Sequence, residues 1–215
     1  PSNRIQGSHP PPMTEQPNTE PANAGEPDEA ASPGRARIIL AGGSGFIGRR
    51  LAAVLGGAGY DVVILTRGRV KPPVGPISFF SWQPDSLEST DAPSGAEEAD
   101  ALAFGSPTVN GDAVKPIWDL LSSLAVVDLR GKLGAAFGSF GWSGEAVQMI
   151  EDRMTGLKMR VPVRGLRVKL IPTDDELGEC RRFGRDLALA LMGADAEPRT
   201  ATKKTDRVID FSELV

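Results

Sequence analysis

One cysteine, one histidine and one tyrosine are all that the 215 residues hold of those three types. Lone Cys180 excludes an internal disulfide framework and any iron or zinc site built on paired cysteines. His9 sits in a polar stretch, so a histidine-rich metal centre and a Ser-His-Asp triad are both unsupplied, and no metal site is expected. Basic excess is lacking too: 24 Lys+Arg stand against 28 Asp+Glu, a net charge of −4. A nucleic-acid sheath needs a basic face to neutralise phosphates, so nucleic acid is not an expected partner. No apolar run approaches the roughly 20 residues that cross a bilayer, so no membrane association is expected. A cytoplasmic domain is the expectation that remains.

What is present is enough apolar sequence, 40% of residues, for one core of ordinary size. Glycine and proline are plentiful, at 25 and 18 residues, and unevenly placed. Eight of the 18 prolines fall in residues 1–34, among Ser, Asn and Glu, which reads as a disordered leader. That opening has no apolar centre and is not a signal peptide. Residues 194–215 read as a polar tail.

Between them the pattern alternates. Runs at Ile38–Ala41, apolar, and Asp61–Thr66, β-branched, flank a glycine loop and a helical stretch from Arg49 to Leu55, which makes one strand–helix–strand unit. Residues 67–91 are loop-like, with a possible short strand at Ile77–Trp82. Further strands are predicted at Ala101–Phe104, Leu133–Phe137 and Leu166–Ile171. Helices are predicted at Pro116–Leu124, Glu145–Thr155 and Asp174–Met192, the last capped by Thr173 or Asp174. The strands are apolar throughout, as expected where both faces are covered. The sum is a doubly wound, parallel, five-stranded α/β sheet in a three-layer sandwich. All three glycine-rich turns directly follow strands, so they fall on one edge of the sheet, where such folds bind ligands.

Gly43-x-Gly45-x-x-Gly48 lies between a strand and a helix, as the dinucleotide pattern requires. Glycines there let backbone amides approach a phosphate at a helix N-terminus; a tight strand–helix turn is the plainer alternative. Over residues 36–85, Arg37-Ile-Ile-Leu-Ala-Gly-Gly-Ser-Gly-Phe-Ile-Gly and Val62-Val-Ile-Leu-Thr-Arg67 resemble the Rossmann amino-terminal unit of NAD(P)-dependent epimerases. The resemblance implies NAD(P) binding. Arg67 and Arg69 in place of an acidic residue would suit the 2′-phosphate of NADP. The family's Tyr-x-x-x-Lys pair is absent, because position 64 is Ile64 where Tyr60 would need a lysine, so epimerase catalysis is not expected.

A second resemblance covers about residues 95–192. Gly105-Ser-Pro-Thr-Val-Asn-Gly-Asp112 and Gly138-Ser-Phe-Gly-Trp-Ser-Gly-Glu145, with the helices after them, are similar to the flavodoxin-like domain of A-type flavoproteins, the flavodiiron proteins. It implies FMN, electron transfer and a redox partner protein. Ser106, Pro107, Thr108, Val109, Asn110 and Gly111, with Gly138, Ser139, Phe140, Gly141, Trp142, Ser143 and Gly144, would then surround the flavin ring. Trp142 or Phe140 would cover a ring face; the alternative for Trp142 is a core plug. Trp118, on the apolar side of its helix, is expected to pack.

The family's Ser/Thr-rich phosphate loop is missing, and the epimerase-like unit stands in its place. The chain thus divides into residues 35–92, a Rossmann-like unit with its loop, and residues 93–193, a flavodoxin-like part completing the same sheet, joined between Trp82 and Glu98. Gly42, Gly43, Ser44, Gly45, Phe46 and Ile47 would hold the phosphate of FMN. An NADP-binding remnant and a fusion without function are the other readings. The sequence leaves oligomerisation open.

Overall fold

The computed structural model describes residues 35–83, 95–170 and 172–193. The expected leader, the polar tail and most of the expected junction lie outside these. Apolar five- and six-residue runs form β1 (Arg37–Ala41) and β2 (Asp61–Thr66), joined by α1 (Phe46–Gly57). Next come β3 (Ile77–Ser81) and β4 (Ala101–Gly105), then a small hairpin of β5 (Thr108–Val109) and β6 (Asp112–Ala113). The chain continues through α2 (Lys115–Ser123), β7 (Leu133–Phe140), α3 (Ala146–Gly156), β8 (Leu166–Lys169) and α4 (Asp174–Leu191).

The main sheet has six strands in the order β3-β2-β1-β4-β7-β8, and every pairing is parallel. Five strands were expected; the sixth is β3, which pairs with β2 from Val62↔Ile77 to Thr66↔Ser81. That one edge strand has a consequence for topology. With it, the order is the 3-2-1-4-5-6 of dinucleotide-binding sheets; without it, the remainder is the 2-1-3-4-5 of flavodoxin. The two strand orders thus differ by a single edge strand.

Alternation along each strand divides the core between the two faces. Ile38, Leu40, Val62 and Ile64 meet Leu51 and Leu55 of α1 and Phe183 and Leu187 of α4. Ile39, Ala41, Leu102 and Phe104 meet Ile117, Leu120 and Leu121 of α2 and Ile150 and Met154 of α3. Cys180 is buried on the α4 face, and burial pushes its thiol up, leaving it unreactive. Tyr60 is buried as well and donates its hydroxyl to the Ala188 carbonyl at 2.9 Å. It ties the start of β2 to α4.

Several boundaries differ from expectation, each for a local reason. Helix α1 starts at Phe46, inside the expected glycine loop, because Gly45 takes the extended N-cap conformation and accepts from Arg49 N–H. Strand β7 runs on to Phe140, since β8 pairs with it from Phe137 to Phe140. Gly138, Ser139 and Phe140 are therefore strand residues and not loop residues. The segment after β4 is a hairpin whose two turn residues, Asn110 and Gly111, have φ of 52° and 76°. Both signs suit the type I′ turn that matches strand twist, and Asn-Gly is its favoured pair.

Candidate functional site

Strand order reverses between β1 and β4, and the carboxyl ends of the strands around that point border a cleft of about 400 Å³. That is the size range of small-molecule sites. One wall is the turn from β1 into α1: Gly42, Ser44, Gly45, Phe46, Ile47 and Gly48. The wall opposite comes from Gly105, Ser106 and Pro107 after β4, and from Phe137, Gly138 and Ser139 of β7. Leu65, Thr66, Arg67 and Trp82 close the β2–β3 side, and Lys169, Leu170 and Pro172 the β8 side. Val114, Pro116, Ile117 and Leu120 of the α2 segment form an apolar floor.

The β1–α1 turn is built by close backbone approach. A Cβ on Gly48 would lie 2.3 Å from the Gly42 carbonyl oxygen, and one on Gly42, at φ +81°, 2.7 Å from that of Gly105. Only glycine lets the helix start so near the sheet. No side chain caps α1 and no acidic residue occupies its first turn. The helix therefore presents unsatisfied amide N–H groups and the positive end of its dipole to the cleft. An anion is the complementary ligand.

The second turn is held from within. Ser106 is 2% exposed; its hydroxyl donates to the Pro107 carbonyl at 2.8 Å and accepts from Val114 N–H at 3.0 Å. Asp112 accepts from Trp118 Nε1–H at 2.9 Å, which pins the hairpin to α2. Trp118 thus packs, as expected, and also donates a hydrogen bond. Within the same wall a Cβ on Gly138 would lie 2.1 Å from the Ser106 carbonyl oxygen, so the end of β7 meets the second turn at backbone contact.

Of the expected site residues, Gly42, Ser44, Gly45, Phe46, Ile47, Ser106, Pro107, Gly138 and Ser139 come together in the cleft wall. Gly43 sits behind it, backed by the Ile64 side chain. Thr108, Val109, Asn110 and Gly111 lie in the hairpin beyond the wall; Phe140, the last residue of β7, and Gly141, Trp142, Ser143 and Gly144 after it lie outside the wall too. Trp142 is 95% exposed, so it is no core plug. Ser143 hydrogen-bonds the exposed Glu145 carboxylate and holds it below its ordinary range. Sequence reasoning missed Leu65, Thr66, Trp82, Pro116, Ile117, Lys169 and Leu170 as cleft residues. The available signal was position: each strand residue named here lies at or just past a carboxyl end, but without glycine to mark it.

Fold and cleft together define a flavodoxin-like α/β module with a cleft at the switch point. A flavodoxin of known structure from the domain Archaea is 28% identical at a TM-score of 0.54, covering 73% of this chain and 99% of that one. The Flv1 flavodiiron core from Synechocystis is 26% identical at 0.53, covering 74% of this chain and 36% of that one. More particularly, 118 residues are 55% identical to the type A flavoprotein fprA of Rhodobacter capsulatus, over 55% of this chain and 25% of that protein. The flavo-diiron protein FprA2 of Clostridium acetobutylicum is 39% identical over 92 residues, 43% of this chain and 23% of its own length. The chain thus spans about a quarter of the length of the curated relatives it matches. Residues 38–81 match the model of the NAD dependent epimerase/dehydratase family. Among the described residues no helix is long and apolar enough to cross a membrane, and no group of three His, Cys, Asp or Glu could hold a metal ion.

Proposed function

We propose that this chain is a redox module that binds FMN and passes electrons to a partner protein. One observation carries the reading: the turns after β1 and β4 and the carboxyl-terminal part of β7 border a single cleft, onto which the uncapped start of α1 also opens. The residues fit the group. Backbone at Ser44–Ile47 offers donors to a phosphate, and the Ser44 hydroxyl replaces the absent Ser/Thr side chains. Pro107 and Ser139 line the part of the cleft where a flat ring would lie, and Ile117 and Leu120 give it apolar lining. Lys169 supplies a positive charge at that end. When bound, the flavin supplies one- and two-electron chemistry; the protein binds, orients and shields it. Asn110 and Trp142, beyond the wall, stand where they could close over the ring from the hairpin and from the β7–α3 turn. The 55% identity to a type A flavoprotein over 118 residues supports the same assignment.

The second reading, an NADP-binding module without epimerase catalysis, is favoured by Arg67 in the cleft wall and by the epimerase-family match at 38–81. Tyr60 cannot serve such catalysis, since its hydroxyl is spent on Ala188.

The test is the visible spectrum and flavin fluorescence of the purified protein with and without added FMN. Bound FMN, with quenched or shifted emission, is the expected result. A colourless protein that leaves FMN fluorescence unchanged would overturn the flavin reading.

A further inference from the structure

The β5–β6 hairpin has two residues in each strand, and a lone two-stranded ribbon is marginal in water even when longer. Its strands pass close to α3 and β7, but side-chain hydrogen bonds fix its base. On one side the Ser106 hydroxyl joins the Pro107 carbonyl to Val114 N–H, which ties the chain entering the hairpin to the chain leaving it. On the other side a single oxygen of Asp112 takes two donors, Ala113 N–H at 2.6 Å and Trp118 Nε1–H at 2.9 Å. Trp118 stands on α2, which buries Ile117, Leu120 and Leu121, so this bond anchors the hairpin to the core. Ser106, Pro107 and Val114 line the cleft; Asp112 and Trp118 do not. The tip is free by contrast, with Val109 51% exposed beside the Asn110-Gly111 turn. Base held and tip open is the build of an arm set beside a ligand.

We infer that Asp112 and Trp118, though outside the cleft, are positioning residues for the flavin: their bond holds the 108–113 hairpin beside the β4 end of the cleft. A loop already held in its binding conformation has no ordering cost to meet on association, and the cofactor is bound more tightly for it. The inference rests on the flavin reading and deepens it. Asp112 acts here as an acceptor and not as a charge, because its partners are an indole N–H and a backbone N–H rather than a cation. An amide oxygen in the same place could take both donors.

Titration of the full chain with FMN, followed by flavin fluorescence and by the visible absorption of the bound flavin, tests it in three variants. Trp118→Phe keeps an apolar ring in the packing and removes the donor. Asp112→Ala removes acceptor and charge together, whereas Asp112→Asn removes the charge alone. Expected is an FMN dissociation constant raised at least fivefold in Trp118→Phe and in Asp112→Ala, with a shifted flavin absorption band. Asp112→Asn should restore both to the parent values, which a role for the carboxylate charge would not allow. Amide hydrogen exchange in residues 108–111, read without flavin, should quicken in the first two variants and not in the third. General loss of stability would instead quicken exchange throughout the sheet. Asp112 belongs to the hairpin and not to the core, so Asp112→Ala carries the test should Trp118→Phe fail to fold. Parent-like affinity in Asp112→Ala, or an Asp112→Asn variant as weak as Asp112→Ala, would overturn the positioning role and leave the flavin reading standing. A parent chain that binds no FMN would overturn both.

Discussion

At the scale of single residues, the cleft depends on groups that touch no ligand. Gly48 is one. Its missing side chain is the space between α1 and the Gly42 carbonyl, so Gly48→Ala must push helix from sheet. Such overpacking costs about 1–3 kcal/mol, and urea unfolding should show a loss in that range together with weakened FMN binding. Unchanged stability would mean the turn relaxes without strain. Ser106 is another. Ser106→Ala strands the Val114 N–H, which is otherwise satisfied only by that hydroxyl among the bonds seen, at about 1–3 kcal/mol. The Asn110-Gly111 turn gives a residue-level lesson in attribution. Asn110 reads as a ring contact by resemblance, yet its φ of 52° and its place before Gly111 already explain its presence in a type I′ turn. Asn110→Gly keeps that turn and removes only the side chain. Lower flavin affinity in this variant would assign Asn110 to the ring; unchanged affinity and potential would assign it to the hairpin alone. The same measurement on Trp142→Ala, at a 95% exposed position, carries no penalty in folding.

Among elements, the contrast between α1 and α4 is informative. Helix α4 also begins at the ligand edge of the sheet, but Thr173 and Glu176 form a reciprocal capping box there. Thr173→Ala should cost about 1 kcal/mol in thermal or chemical unfolding. Helix α1 has no such cap, which leaves its amides to an anion. A second element-level tie joins α3 to the segment entering β8, where Glu151 accepts from Gly165 N–H at 2.6 Å. Burial pushes the Glu151 carboxyl up despite that bond and the nearby Arg164. The folded protein therefore keeps this proton where the unfolded chain has lost it, and stability falls as pH rises through the window above 4.5. Glu151→Gln retains an acceptor for Gly165 and removes the titration. Its melting temperature should gain on that of the parent protein as pH rises through that window, and parallel pH profiles would refute the assignment.

Over the whole molecule, a ligand of the folded state shows itself by mass action. FMN at 100 times its dissociation constant should add about 2.7 kcal/mol to the unfolding free energy. A shift with NADPH and none with a flavin would favour the dinucleotide remnant, and no shift with any of them would favour a fusion without function. The described residues hold one six-stranded sheet and a two-stranded hairpin; in the larger sheet β1 to β3, the stretch that matches the epimerase family model, meet β4, β7 and β8 through the parallel β1–β4 ladder.

Periodicity made most of this sheet legible. Apolar runs such as Ile38–Ala41 and Ala101–Phe104 admit few other structures, and a turn that directly follows a parallel strand has to lie at its carboxyl end. Those local facts were enough to place three glycine-rich segments on one rim, and Gly43-x-Gly45-x-x-Gly48 was enough to mark the tight turn from β1 into α1. Strand order was not legible, because nothing within Ile77–Ser81 states which neighbour it will hydrogen-bond. Nor was the wall of the cleft: Trp82 and Ile117 are far apart in the chain and carry no motif, and only packing across the sheet makes them neighbours. Sequence determined which segments extend and where the chain turns, since sterics and burial act over a few residues. Tertiary structure decided which strand ends share a cleft, because that follows from pairings between distant segments.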